Sequence, residues 1–335
     1  MFIWLSELLK QQAPAVLVTV AHAEGSVPRE AGARMLVTAD RLHDTIGGGH
    51  LEYVAEKMAR AMLAQAPEEA GAQRRLERLP LGPTLGQCCG GVAFLAFERV
   101  EPAGHAHFRD IADALAQNAA CLRRVPLDSA MPPQLERNPG PAPASAGPTR
   151  FISDAQGARW LLDLCAPPAA QLYLFGAGHV GAAIVRAMAD LPCQIIWVDE
   201  REDMFPAQLP ANVRVEATDT PQALVAAAPD HASFLVMTHS HALDQALAEA
   251  ILRRERTGWF GLIGSRTKRV SFERRLRQRG ITDERLAGMV CPIGIPGIAG
   301  KEPAVIAIAV AAQLLQLWQA QAAAGAAEHG KKQQA

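Results

Sequence analysis

The chain has 335 residues, 49% hydrophobic and 20% charged, with a formal net charge of −1. That length holds two ordinary domains, and the balance is that of a soluble globular protein. The near-neutral charge leaves no electrostatic footprint for nucleic acid. The first twenty residues carry Glu7 and Lys10 and lack a basic start followed by a long apolar run, so neither a secretory signal nor a membrane anchor is expected there. Six cysteines without framework spacing fit a reducing cytoplasm.

In chain order, Val16 to Val20 is β-branched and reads as a strand, with Arg34 to Thr38 as its partner. A triple glycine follows at Gly47–Gly49. Next, Leu51, Val54, Ala55, Met58 and Met62 share one face of a helix. Residues 86–91 read Gly-Gln-Cys-Cys-Gly-Gly, and Val92 to Phe97 is another strand. Two adjacent thiols between glycines can meet a large partner closely, because glycine removes bulk and permits unusual backbone angles. Soft ligands suit a thiophilic metal, a sulfur-rich cofactor or a sulfur donor. A tight turn with two buried cysteines as core fillers is the plain alternative.

Residues 126–150 hold seven prolines and little apolar periodicity, which reads as a linker or long loop between domain 1–125 and domain 151–322. Beyond it the pattern is regular. Strands are expected at Leu172–Phe175, Gln194–Val198, Val213–Val215, Phe234–Met237 and Trp259–Ile263. Helices are expected after the first, from about Leu243, from Lys268 to Arg279 and from Glu302 to Trp318, with a frayed tail over 323–335. Alternating strands and helices imply a Rossmann-like, doubly wound parallel sheet behind a mixed α+β N-terminal domain.

Gly176-Ala-Gly178-His179-Val-Gly181 matches G-x-G-x-x-G between a strand and a helix, and Asp199 closes the next strand at the spacing of a ribose-binding acid. The physics is a tight turn and a helix N-terminus aimed at phosphate. His179 stands where a small or apolar residue is usual, as a phosphate contact or a helix cap. His239, His241 and Asp244 have a metal-ligand flavour, although polar contacts or loop hydrogen bonds explain them as well. Arg266 and Lys268, nearest a strand end, are anion candidates; the basic residues after them read as a solvated helix face.

Taken together, Gly25-Ser-Val-Pro-Arg29-Glu-Ala-Gly-Ala33, Thr45-Ile-Gly-Gly-Gly-His50-Leu-Glu52, Gly82-Pro-Thr-Leu-Gly-Gln-Cys-Cys-Gly-Gly91, Phe175–Gly181, Met237–Asp244, Gly261–Arg266 and Pro292–Pro296 resemble the bacterial xanthine dehydrogenase accessory proteins, the XdhC/CoxI family. The likeness runs in order over about residues 15–320, except the proline-rich middle. It implies a homodimeric chaperone that binds and protects the molybdenum cofactor (molybdopterin). Such a chaperone supports the cofactor's sulfuration with a cysteine desulfurase and delivers it to apo xanthine dehydrogenase, at that enzyme's molybdenum-bearing chain. On that reading Cys88 and Cys89, with Gln87 and Gly90 beside them, are candidates for the sulfur-rich or molybdenum end. Gly47, Gly48, Gly49 and the loop of Gly176, Gly178, His179 and Gly181 are candidates for the phosphate. Arg29 and His50 are candidate partners of phosphate or pterin oxygens, and Glu52 caps its helix or bonds the pterin. Two other readings remain. One is an NAD(P)-dependent oxidoreductase using the Gly176 loop, Asp199 and His239 or His241. The other is a thiol-redox or metal-binding protein centred on the two cysteines.

Overall fold

A computed structural model describes residues 2–66, 73–82, 90–139 and 149–332. The chain divides into two units, Met1–Pro167 and Pro168–Ala335.

The first unit opens with α1 (Ile3–Lys10), followed by β1 (Ala15–Glu24), β2 (Arg34–Val37), β3 (Leu42–Asp44), α2 (Gly49–Ala64), β4 (Arg74–Pro80) and β5 (Val92–Val100). The five strands form an antiparallel sheet in the order β3-β2-β1-β5-β4. The expected pairing of the first two strands is present, with Val18 opposite Met35. Val16, Val18, Val20, Leu95 and Phe97 bury one sheet face against Leu51, Ala55, Ala59 and Met62 of α2. The period of 2 on the strands thereby meets the period of 3.6 on the helix. Leu17 and Leu36 point the other way, into a cluster with Trp4 and Leu8 of α1 and with Phe108 and Ile111 of α3 (His105–Ala116).

A second antiparallel sheet follows: β6 (Cys121–Pro126), β7 (Gln134–Arg137), β8 (Thr149–Ser153) and β9 (Arg159–Cys165), in the order β7-β6-β9-β8. This corrects the domain reading. The proline-rich stretch is not the boundary, because beyond it β9 returns to pair with β6, and β8 with β9, inside the first unit. A buried charge network ties the two sheets together. The Arg123 guanidinium, fully buried, donates to Glu98 at 2.5 Å and Asp163 at 3.1 Å; Arg34 also donates to Asp163, and Thr149 donates to it at 3.0 Å. Burial alone would push the Asp163 carboxyl up. The two arginines and the Thr149 hydroxyl hold it below the usual carboxylate range.

The second unit carries β10 (Ala170–Phe175), α4 (His179–Ala187), β11 (Cys193–Asp199), β12 (Val213–Ala217), α5 (Pro221–Ala227), β13 (Ser233–Val236), α6 (His241–Leu252), β14 (Trp259–Leu262), α7 (Arg266–Gln278), α8 (Asp283–Ala287), β15 (Met289–Val290) and α9 (Pro303–Lys332). The parallel sheet runs β12-β11-β10-β13-β14-β15. Numbered from its first strand this order is 3-2-1-4-5-6, the doubly wound arrangement with a switch point between β10 and β13. Leu172 and Leu174 face α4 and α9, whereas Phe175 and Phe234 face α5 to α8, so both sheet faces are covered. The expected strands are all present within a few residues. The last helix continues to Lys332 where a frayed tail was expected, because its alanine-rich sequence favours helix strongly. Residues Pro303–Ala324 are long and apolar enough to cross a membrane by composition; Ala307, Val310, Ala311 and Leu314 of this helix are instead packed in the sheet core.

Candidate functional site

In the first unit, strand direction decides where the motifs go. In an antiparallel sheet β1, β3 and β4 run one way and β2 and β5 the other. The β1–β2 connection, the β3–α2 turn and the β4–β5 connection therefore leave from the same sheet edge. These three connections are the Gly25–Ala33, Thr45–Glu52 and Gly82–Gly91 motifs. Glycine lets them touch. Gly25 adopts φ +67°, and a side chain there would reach the Gly91 Cα at 3.4 Å. Gly91 lies against the Glu24 and Ser26 carbonyls and admits no Cβ. Gly47, at φ +120°, is pressed against Pro28 and the Arg29 stem. The Leu81 N–H donates to the Gly91 carbonyl at 2.9 Å and closes the base of the third connection. Gln87, Cys88 and Cys89 lie outside the described residues; Gly90 is exposed beside them.

In the triple-glycine turn Glu52 takes the capping role that was one of its two expected ones. The Glu52 carboxylate accepts from the Thr45 hydroxyl at 2.5 Å, the Ile46 N–H at 3.2 Å and the Gly48 N–H at 3.1 Å. The Gly47 N–H donates to the Thr45 hydroxyl at 3.0 Å. Glu52 thus occupies the cradle that a phosphate was expected to fill, as a variation on the capping box. Gly47 serves close approach, Gly48 supplies a positive φ of +72° with open space around it, and Gly49 is the first residue of α2. Arg29 extends from the neighbouring loop, 3.5 Å from Glu30, and His50 lies exposed on α2 with its ring 5.9 Å from that of Tyr53.

In the second unit, Gly176 adopts φ +122°, and a Cβ there would sit 2.5 Å from the Met237 carbonyl oxygen. Gly181 packs its Cα against the Gly176 carbonyl, where no side chain fits. These are the tight-turn and helix-packing roles that the fingerprint requires. Gly178 is the N-cap of α4, without a side-chain cap, and faces open space. His179 is the first residue of that helix. Asp199 accepts from the Ala177 N–H at 2.7 Å and from Arg201, whose Nε is 2.9 Å away. Burial would raise the Asp199 carboxyl, but the bonds from Arg201 and Ala177 outweigh it and bring its pKa down to about 2. Beside it lies a narrow crevice walled by Phe175, Val198 and Leu247 and rimmed by Asp199, Thr218 and Thr238.

The histidine loop does not assemble a metal site. Asp244 is buried and salt-bridged to Lys268 at 2.8 Å, while also accepting from the Thr238 N–H and hydroxyl. His239 lies 3.3 Å from Glu200, and His241 begins α6. Among the described residues no cluster of three His, Cys, Asp or Glu side chains is placed to hold a metal ion. Lys268, expected to bind an anion, is turned inward by Asp244; Arg266 is exposed at the start of α7. Sequence reading missed the buried arginine–carboxylate network altogether. Its only signal was charged residues at inward positions of otherwise apolar strands, Arg34 in β2 and Asp163 in β9.

Residues 8–75 match the XdhC and CoxI family model, and residues 172–314 match the XdhC Rossmann domain model. The chain belongs to the XdhC and CoxI family. A probable xanthine dehydrogenase chain of Bacillus subtilis is 24% identical over 331 residues, covering 93% of this chain and 96% of that protein. The uncharacterized protein YqeB of Escherichia coli is 31% identical over 148 residues, which are 44% of this chain and only 27% of YqeB. A crystal structure of a xanthine dehydrogenase from Bacillus halodurans superposes with a TM-score of 0.69 at 22% identity, covering 94% of this chain and 95% of that one; this likeness establishes the fold. The Bacillus subtilis protein and the Bacillus halodurans structure are matched over both units, and the glycine edge of the first unit falls partly within the matched N-terminal segment.

Proposed function

We propose that this XdhC-family chain is a maturation chaperone for xanthine dehydrogenase, working in the cytoplasm as a homodimer rather than as an independent catalyst. It binds the molybdenum cofactor and protects it. It supports exchange of a terminal oxo ligand for sulfur with a cysteine desulfurase, and then passes the cofactor to the apoenzyme. The observation that carries this reading is the convergence of three motifs on one sheet edge of the first unit. Such an edge offers backbone stripped of side chains for close approach, the Arg29 cation for an anionic group and the connection that bears two thiols. The cargo has matching chemistry: sulfur and metal at one end, phosphate at the other. Glu52 already fills the Gly47–Gly48 turn, so the phosphate falls to Arg29 or to neighbouring N–H groups.

The test is the pterin and molybdenum content of protein purified anaerobically from molybdate-fed cells, wild type beside Cys88→Ala and Cys89→Ala. Cofactor in the wild type and its loss in a cysteine variant supports the proposal. An empty wild type that cannot retain added cofactor sinks it. A second reading, an NAD(P)-dependent oxidoreductase, is favoured by the strand order and the Gly176–Asp199 geometry of the second unit. Titration with NADH, followed by its fluorescence, tests that reading on the same protein.

A further inference from the structure

Three strands of the first unit place a ladder of unlike side chains across one sheet face. Arg78 of β4 is paired with Phe94 of β5, and Phe94 with His22 of β1. Cross-strand partners lie on the same face. Phe151 of β8 closes over them, so that the Phe94 and Phe151 centroids are 5.3 Å apart and those of His22 and Phe94 are 5.5 Å apart. The Arg78 guanidinium stands 6.0 Å over the Phe94 ring. This group is not sealed core: the His22 side chain is 47% exposed, Arg78 is exposed, and both phenylalanines are only partly buried. One rung nearer the loops, Glu24 pairs with Val92 on the same face, its side chain 53% exposed and 3.8 Å from His22. The next residues of those strands are Gly25 and Gly91, the contact that closes the motif edge.

The rung spans two strand spacings, about 10 Å, enough to run the full length of a fused bicyclic heterocycle. Half-exposed rings give such a heterocycle a face to stack on. A carboxylate at one corner suits an amino-pyrimidinone edge, whose amino and ring N–H groups both donate. A guanidinium at the other corner suits a carbonyl or a phosphate. We propose that His22, Phe94 and Phe151 form the stacking step for the pterin ring of the cofactor, with Glu24 accepting from its amino edge and Arg78 bounding its far side. This deepens the cofactor reading above and rests on it. It names the pterin-recognising residues on parts of the chain other than the glycine and cysteine motifs.

The full-length protein is titrated with 6-hydroxymethylpterin, following the pterin fluorescence, and separately with GMP, which carries the same amino-pyrimidinone edge on a purine. Expected are saturable quenching by the wild type, about tenfold weaker binding for Phe94→Leu and for Phe151→Leu, weaker binding for Glu24→Gln, and near-normal binding for Phe94→Tyr. Unchanged melting temperatures confirm that the variants are folded. Equal pterin binding by Phe94→Leu, Phe151→Leu and wild type overturns the proposal, as does GMP binding as tight as pterin. A wild type that retains molybdenum cofactor on purification but does not bind the free pterin overturns the stacking step and leaves the chaperone reading standing. A wild type that retains no cofactor yet binds pterin through these rings sinks the chaperone reading and keeps the step.

Discussion

Each unit sets a glycine turn ahead of a helix, and the two turns resolve their electrostatics in opposite ways. In the first, Glu52 comes from the helix itself and takes the Ile46 and Gly48 N–H groups from below. In the second, Asp199 comes from the neighbouring strand, takes from the turn itself only the Ala177 N–H, and leaves the uncapped start of α4 facing open space at Gly178. Similar glycine content therefore does not mean similar ligand. What matters is whether a carboxylate of the chain already sits where an external anion would. The first turn is a scaffold that lets its loop pass against Pro28 and Arg29, and the second keeps the geometry of an anion-facing site.

The largest expected effect comes from Gly176→Ala. It puts an L residue at φ +122° and drives a methyl into the Met237 carbonyl, costing about 2–5 kcal/mol by urea denaturation. A cost under about 1 kcal/mol would mean that the turn relaxes freely and that the contrast between the two turns is overdrawn. Glu52→Ala comes next. It strands two backbone donors and the Thr45 hydroxyl, at about 1–3 kcal/mol. Inorganic phosphate should restore part of the lost melting temperature in this variant and do nothing for wild type. If phosphate stabilises wild type equally through this turn, Glu52 is not the occupant that excludes it.

Acid titration probes the carboxylate of the second turn. Asp199 titrates at about 2 in the folded protein against an ordinary 3.8. Its contribution is complete above about pH 4 and disappears as the pH falls from about 4 to about 2, because the unfolded chain there binds the proton first. Melting curves of wild type and Asp199→Asn should therefore converge over that window and stay separated by a constant amount above it. The smallest stability change belongs to Gly178→Ala, within about 1 kcal/mol, since its φ is ordinary and no neighbour lies within 4 Å. Any fall in nucleotide or phosphate affinity in that variant then reports a ligand approaching the backbone rather than a damaged fold.

The second unit was legible beforehand in five of its six strands and its longer helices, but not in α5, α8 or β15, because the signals of the former are local. Each strand is an apolar run, each helix follows within a few residues, and the glycine fingerprint lies between one strand and its helix. The first unit was legible in its motifs and in β1, β2, β5 and α2. Its second sheet was not, since β7 and β8 are short, polar and separated by proline-rich sequence. Their membership depends on pairing with β6 and β9 and on Arg34 and Arg123 reaching Asp163, and the two arginines lie 129 and 40 positions from it along the chain.

The sequence by itself determined the family, the doubly wound half and the residue types at every candidate position, since spacing and composition are properties of neighbours along the chain. Tertiary structure alone decided what surrounds the described candidates. Lys268 and Asp244 neutralise each other, Glu52 fills the first glycine turn, and Gly25, Gly47 and Gly91 come to one edge because antiparallel strands return their connections there. The same folding placed His22, Phe94, Phe151 and Arg78 in one patch, a surface no linear spacing encodes. Charge and shape at a site depend on which side chain arrives from another strand, and only the folded chain sets that.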